Sequence, residues 1–235
     1  MGWSKADLHV HTTYSSDALA SVEEVLHHAA THTDLRILAI TDHDTIDGAL
    51  QARHVAKTYG IEVIVGEEIS TAEGHLLALF IEEWVPPGRP AAESIAAVHA
   101  QGGLCVAAHP YGSMVPSMGW YGLMERIGDE WQLDGMECFN AGLWLPSNNT
   151  RATNVSAELR VAMCGGSDSH QCSTVGNGYT LFPGTTTEDL RAAIVSQQTR
   201  AAGRPSGTAH LVEYAGLKLK GMLQSHAQRV FKPSV

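Results

Sequence analysis

Long apolar runs are missing from this 235-residue chain. No stretch approaches the ~20 consecutive apolar residues that a membrane-crossing helix needs. The N-terminus, MGWSKADLHVH, has no apolar core of a secretion signal, and its first expected strand already carries polar chemistry; a cytoplasmic protein is the expectation. Basic residues are scarce, 15 Lys and Arg against 25 Asp and Glu, for a formal charge of −10. That balance disfavours non-specific binding to nucleic acid or to an anionic membrane. Of the four cysteines, no two form a C-x-x-C pair, which argues against a zinc ribbon and a dithiol redox motif. Cys105, Cys138 and Cys164 sit in apolar runs and read as buried, reduced thiols, whereas Cys172 is a candidate for a site rim. G-x-S-x-G, a Ser-His-Asp arrangement and a Walker-type phosphate loop are all absent, which argues against a covalent serine route and a nucleoside triphosphate fuel. Internal repeats and low-complexity tracts are absent too.

What is present is an alternation. Short apolar runs at 6–11, 37–41, 62–65, 76–81, 104–107, 135–139 and 161–164 read as strands. Helical patterns lie between them. Ser21 and Glu24 form a capping box ahead of an apolar stripe through Val22, Val25, Leu26, Ala29 and Ala30. Further helices are expected over 47–59 with Gly60 as stop, over 91–101 ended by Gly102 and Gly103, and around 150–160 and 187–196. Strand and helix in repeated alternation predict an α/β fold with a mainly parallel sheet or barrel. One domain is expected over 1–235, with final strand and helix elements after residue 170 and an amphipathic C-terminal helix over 211–231, its Lys218 and Lys220 solvated. Residues 113–129, rich in Gly, Met and aromatics, read as a loop or lid.

The 13 histidines matter through their placement. His9 and His11 lie two apart on the first strand and project to the same side at its C-terminal end. Asp42, His43 and Asp44 follow the second strand. Glu67 and Glu68 follow the third; they face opposite ways if the strand continues, so only one enters a site. His75 comes after a short turn, His109 follows the 104–107 strand, and Asp168 and His170 form another i, i+2 pair after the last. Parallel strands would gather all five clusters at one mouth. Packing gives no reason for collecting ionisable groups there, whereas metal ions would satisfy them. His27, His28, His32, His54, His99, His210 and His226 read instead as solvated surface groups.

The successive segments DLHVHTTYSSDA, ITDHDT, GEEIS, AHP and GGSDSH resemble the motifs of the polymerase and histidinol phosphatase (PHP) family of metal-dependent phosphoesterases, in family order from Asp7 to His170. The resemblance implies a distorted seven-stranded β/α barrel with two or three divalent ions (Zn, Mn or Fe, with Mg also possible) at the C-terminal mouth of the strands. It implies that His9, His11, Glu68 and Asp168 hold a first ion, that Glu68 bridges to a second with His75 and His109, and that Asp17, His43 and His170 hold a third. The family's G-x-E-I-S pattern favours Glu68 over Glu67 as the bridge. Glu68, Asp168 and His170 are the expected catalytic groups, and Asp7 and Asp42 are expected to orient imidazoles.

The implied activity is hydrolysis of a phosphate ester by metal-activated hydroxide, on a small phosphomonoester, a nucleotide or a short oligonucleotide. ITDHDT and Asp17 resemble the stand-alone members acting on nucleotides, yet the stretch from His75 to His109 is shorter than theirs. Asn140 and Arg151 are the expected phosphate contacts, with Arg160 a further candidate, and Trp120, Tyr121 and Trp144 are candidates for stacking on a base. Three ions would bring the net charge to about −4, with the positive field confined to the pocket, so long nucleic acid is not an expected substrate. Two alternatives remain: an amidohydrolase-type metal hydrolase, which also opens on H-x-H but bridges its ions through a modified lysine or a carboxylate, and a catalytically silent metal-binding module.

Overall fold

Each of the seven apolar runs forms a strand, because aliphatic and β-branched side chains at these positions are buried on both faces of a sheet. The computed structural model describes residues 2–119, Met124 and 131–207. The expected C-terminal helix, His210, His226 and the Trp120–Tyr121 part of the expected lid lie outside the described residues. The strands are β1 (Trp3–Val10), β2 (Ile37–Ile40), β3 (Glu62–Ser70), β4 (His75–Leu79), β5 (Leu104–Ala107), β6 (Gly135–Asn140), β7 (Ala162–Gly166), β8 (Gly178–Pro183) and β9 (Arg200–Gly203). The helices are α1 (Val22–His32), α2 (Asp47–Val55), α3 (Ala91–Ala100), α4 (Pro146–Leu159) and α5 (Thr187–Val195). The Ser21–Glu24 capping box opens α1 as expected. Gly60 and Gly102, at φ +70° and +78°, follow the turns that end α2 and α3, where a side chain would be strained.

One sheet runs in the order β7-β6-β5-β4-β3-β2-β1-β8-β9 and curls into a nearly closed barrel. The first seven strands are the barrel staves. Their ends meet where the segment after β7 lies along β1: His11 N donates to Ser169 O (2.9 Å) and Asp168 N to His9 O (2.9 Å). Thr180 on β8 ties in from outside, its hydroxyl accepting from Gly165 N (2.8 Å) and donating to Gly165 O (3.0 Å).

The sheet is less parallel than the alternation predicts. β4 runs antiparallel to both β3 and β5, and β8 is antiparallel to β1 and β9. The reason is local. Only Thr71–Gly74 separate β3 from β4, and a parallel return needs a crossover of a dozen or more residues. Thr71 N donates to Gly74 O (3.1 Å) to close this hairpin.

Apolar side chains from staves all round the barrel, among them Leu8, Ile37, Ala39, Leu77, Val106 and Cys164, pack with Phe182 and with Leu190 and Ile194 of α5. A second cluster contains the buried faces of α1–α4 and the alternate residues of the strands. Cys105, Cys138 and Cys164 are buried free thiols, and burial raises the pKa of each. Cys172 packs against the second cluster rather than at the cavity described below. No helix among the described residues is long and apolar enough to cross a membrane.

Candidate metal centre

Glu68 organises the barrel mouth. It lies on β3 directly opposite Leu77, so its side chain points inward, and both side chains are buried. Its Oε2 is 3.2 Å from His9 Nε2, 3.2 Å from His11 Nε2 and 3.0 Å from His43 Nδ1. Its Oε1 is 2.8 Å from His75 Nδ1 and 2.9 Å from His109 Nε2. Five imidazoles from four segments thus meet one carboxylate. Asp168 Oδ1 stands 3.5 Å from His9 Nε2 and 3.4 Å from His11 Nε2. Asp17 Oδ2 lies 3.6 Å from His43 Nε2 and 3.4 Å from His170 Nε2. All nine side chains expected as ligands therefore stand together.

The β3–β4 hairpin explains His75. A residue at the start of a strand would sit at the wrong end of a parallel barrel, but the reversed β4 sets His75 opposite Ser70, at the mouth. Asp168 and His109 both have left-handed backbones (φ +52° and +26°), which end their strands abruptly and turn the side chains inward.

Glu67 faces the other way, as alternation requires. It is buried under Val85, whose N–H it accepts at 3.0 Å, and burial pushes its carboxyl up to about 8.

The orienting groups differ from expectation. Asp7 accepts from the backbone N–H groups of Ser167 (2.9 Å) and Gly176 (2.8 Å) and touches no imidazole; it pins the loop that carries Asp168 and His170. Burial lifts its carboxyl to about 6 against these bonds. Asp42 works at one remove. Ser15 Oγ donates to it (2.9 Å), which leaves that oxygen to accept from His11 Nδ1 (3.1 Å) and from His43 N (2.9 Å).

Glu137 on β6 is the group that sequence reading passed over. It is buried, takes His9 Nδ1 at 3.1 Å, and accepts from His109 N (2.7 Å) and Asn140 Nδ2 (2.9 Å). Its signal, a lone Glu inside the apolar run of β6, was available as a polar residue with no packing reason to be there. Gly166 permits the contact: a Cβ there would come within 2.5 Å of His9 Cβ and 2.6 Å of Glu137 Oε1.

Asn140 is buried and its amide is committed within the protein, donating to Glu137 and to Asp168 Oδ2 (3.2 Å) and accepting from Gly142 N (2.9 Å). A phosphate contact would compete with these bonds. Arg151 lays its guanidinium 4.4 Å from the Tyr111 ring centre, and Arg160 ends α4 at the opposite end of that helix from the mouth. His99, expected to be solvated, pairs with Asp134 (2.9 Å).

The electrostatics are those of a ligand cluster holding protons in place of cations. Burial opposes charge on Glu68 and Asp168, yet the surrounding imidazoles hold both carboxyls well below their usual range. Burial likewise works against charge on His9 and His43, but neighbouring carboxylates win: His9 rises well above an ordinary histidine and His43 to about 9. Despite this crowding, His9 Nε2, His11 Nε2, His109 Nδ1, Glu68 Oε2 and Asp17 Oδ1 are buried without a hydrogen bond. Buried polar atoms are rarely left so. Four overlapping groups have ligand atoms within 4.8 Å of one another: His9, His11, Glu68; His9, His109, Asp168; His43, Glu68, His75; and His11, His43, His170. Imidazole with carboxylate suits zinc, manganese or iron.

A barrel whose mouth gathers these imidazoles and carboxylates presents the donor set of a divalent-metal site. Residues 7–114 match the PHP domain and residues 146–199 the PHP-associated region. A Methanocaldococcus jannaschii protein, MJ1587, is 38% identical over 147 residues, 58% of this chain and 82% of that one. The phosphoribosyl 1,2-cyclic phosphate 1,2-diphosphodiesterase of Eggerthella lenta is 40% identical over 86 residues, 34% of this chain and 32% of its own length. A two-domain protein of Bacteroides vulgatus containing a predicted PHP-like metal-dependent phosphoesterase shares the fold, with a TM-score of 0.73 at 21% identity over 86% of this chain and 65% of that one. The chain belongs to the PHP-domain family and shares its fold with solved proteins described as metal-dependent phosphoesterases.

Proposed function

We propose that this protein hydrolyses a single terminal phosphate ester on a small molecule, nucleotide or short oligonucleotide, using two to three divalent ions held by the nine clustered side chains. The observation that carries the reading is the buried Glu68 carboxylate, with both oxygens within 3.2 Å of five imidazole nitrogens. One carboxylate facing two sets of imidazoles is the donor pattern of a bridged pair. The proposed sets are His9, His11, Glu68 and Asp168; Glu68, His75 and His109; and Asp17, His43 and His170. The unpartnered buried atoms of these side chains fit that assignment. Ions bound there would lower the pKa of water and neutralise charge on the phosphoryl oxygens.

The chain's own residues set the geometry. Glu137 and Ser15 engage the Nδ1 atoms of His9 and His11, which leaves each Nε2 facing Glu68. In the overall reaction a water oxygen bonds to phosphorus, the ester P–O bond breaks, and one water proton ends on the leaving alcohol. Asp17, His43, His75 and His170 line the open cavity and face the entering phosphate. The −10 charge leaves a long polyanion without a basic track, so small esters are the proposed substrates.

The test is a panel of phosphate monoesters, a nucleoside bisphosphate, a five-residue oligonucleotide and a long single strand, with manganese or zinc at two ionic strengths. Small esters should have the highest kcat/KM. Turnover led by the long strand, with a steep salt dependence, would refute the substrate reading. No turnover of any ester after metal loading would refute the phosphoesterase reading.

A further inference from the structure

The cavity above the metal centre, about 530 Å³, is larger than a phosphate needs, and its walls are divided. One wall is the cluster itself. The other is apolar: Met114, Val115 and Pro116 from the loop after β5, Leu143 and Trp144 from the loop after β6, and Pro205 after β9. Trp144 is 63% exposed and Met114 90% exposed, so neither finds its packing partner within the described residues. A tryptophan left open to water next to a charged cluster loses the favourable burial of a large ring. The polar groups beside this wall, Ser113, Asn148 and Ser206, are uncharged, and no Lys or Arg is among the described residues that line the cavity.

Resting on the phosphoesterase reading, we infer that this wall is the leaving-group subsite, and that its ligand is a flat, uncharged, unsaturated group carried on one terminal phosphate, stacked on Trp144. The phosphate enters the cluster and the ring lies across the mouth between the two loops. An aliphatic leaving group would cover the shelf poorly. A second anionic group placed there would meet neutral side chains instead of a cation. This makes the subsite selective twice, for an aromatic surface and against a second charge.

The experiment uses three esters whose leaving alcohols differ little in acidity: ethyl phosphate, 2-phenylethyl phosphate and its para-carboxylate. The metal-loaded full chain should favour 2-phenylethyl phosphate over ethyl phosphate by at least about tenfold in kcat/KM, mainly through KM, in keeping with the worth of one ring stacked on an aromatic side chain. The para-carboxylate should lose most of that advantage. Trp144→Ala should lower the phenylethyl-to-ethyl ratio about tenfold, Trp144→Phe should restore most of it, and Met114→Ser should fall between. Calorimetric affinities of 2-phenylethylphosphonate and ethylphosphonate supply a readout independent of turnover and should show the same ratio. Equal ratios in the wild type and Trp144→Ala, or preference for the para-carboxylate, would overturn the subsite. If no ester is hydrolysed but the phosphonates still discriminate through Trp144, the phosphoesterase reading fails and the subsite stands.

Discussion

Glu137 shows how much of this centre is held by groups that would touch no ion. One of its oxygens takes His9 Nδ1 and the other accepts from His109 N and Asn140 Nδ2, so one carboxylate sets two would-be ligands and the amide that holds Asp168. Glu137→Gln should weaken metal binding about 10- to 100-fold, measured by competition with a chromophoric chelator, while the folded state persists. Glu68→Gln should be the more damaging change at the centre itself, removing a bridge, whereas Asp17→Asn should affect the outer position only. Elemental analysis and turnover together check this; equal metal content and equal rates in the two variants would contradict the assignment. Glu67 offers a prediction of a different kind. Its folded pKa of about 8 lies above the ordinary carboxylate value, so the stabilisation it contributes is full below pH ~4.5 and is lost as pH rises through 8. In chelator-stripped protein, Glu67→Gln keeps an acceptor for Val85 N and cannot ionise. It should match the wild type near pH 5 and melt at higher temperature than the wild type at pH 9.

At the level of elements, the centre depends on strand ends and on one reversal. β1, β2, β3 and β7 lead into His9 and His11, His43, Glu68, and Asp168 and His170 by the logic of a parallel barrel, and sequence alternation was enough to expect it. His75 belongs to a strand running the other way, and the four-residue turn Thr71–Gly74 that reverses the chain is the reason it reaches Glu68. The contact between β1 and β7 is equally local. Gly166 lies against His9 and Glu137 with no room for a Cβ. Gly166→Ala should cost about 1–3 kcal/mol of stability by overpacking. It should also lower metal affinity, because relief requires His9 or Glu137 to move. Thermal melts and metal titration of one variant check both. The final strand expected after residue 170 was not given bounds from sequence, because GYTLFP and the four-residue RAAG carry no long apolar run to mark them.

For the molecule as a whole, the charge pattern couples metal binding to folding. Three buried or half-buried carboxylates and six histidines face one another across the mouth, and ions would replace the protons that hold them together. Metal should therefore act as a folding ligand. At a free concentration about a thousandfold above the dissociation constant, one ion adds about 4 kcal/mol. For a chain of this size that corresponds to a rise of roughly 10 °C in Tm. Melting the zinc- or manganese-loaded protein beside the chelator-treated one measures it, and elemental analysis should find two to three equivalents. Identical melting temperatures and less than one equivalent would remove the metal centre altogether.

Sequence by itself determined the alternation of strand and helix, the capping of α1 and the His, Asp and Glu clusters at strand ends, because each is written in short-range pattern: short apolar runs, a Ser-x-x-Glu, ionisable groups where the runs stop; Asp17 and the preference for Glu68 over Glu67 came from the resemblance to the family motifs. Tertiary structure decided what pattern cannot carry. It chose Glu68 as the common neighbour of five imidazoles and turned Glu67 to the opposite face. It made Asp7 a clamp on backbone, brought Glu137 from 128 residues away to His9, and left Trp144 open above the cluster. Such contacts join residues distant in the chain, and their energies depend on burial and distance, which exist only once the barrel has closed.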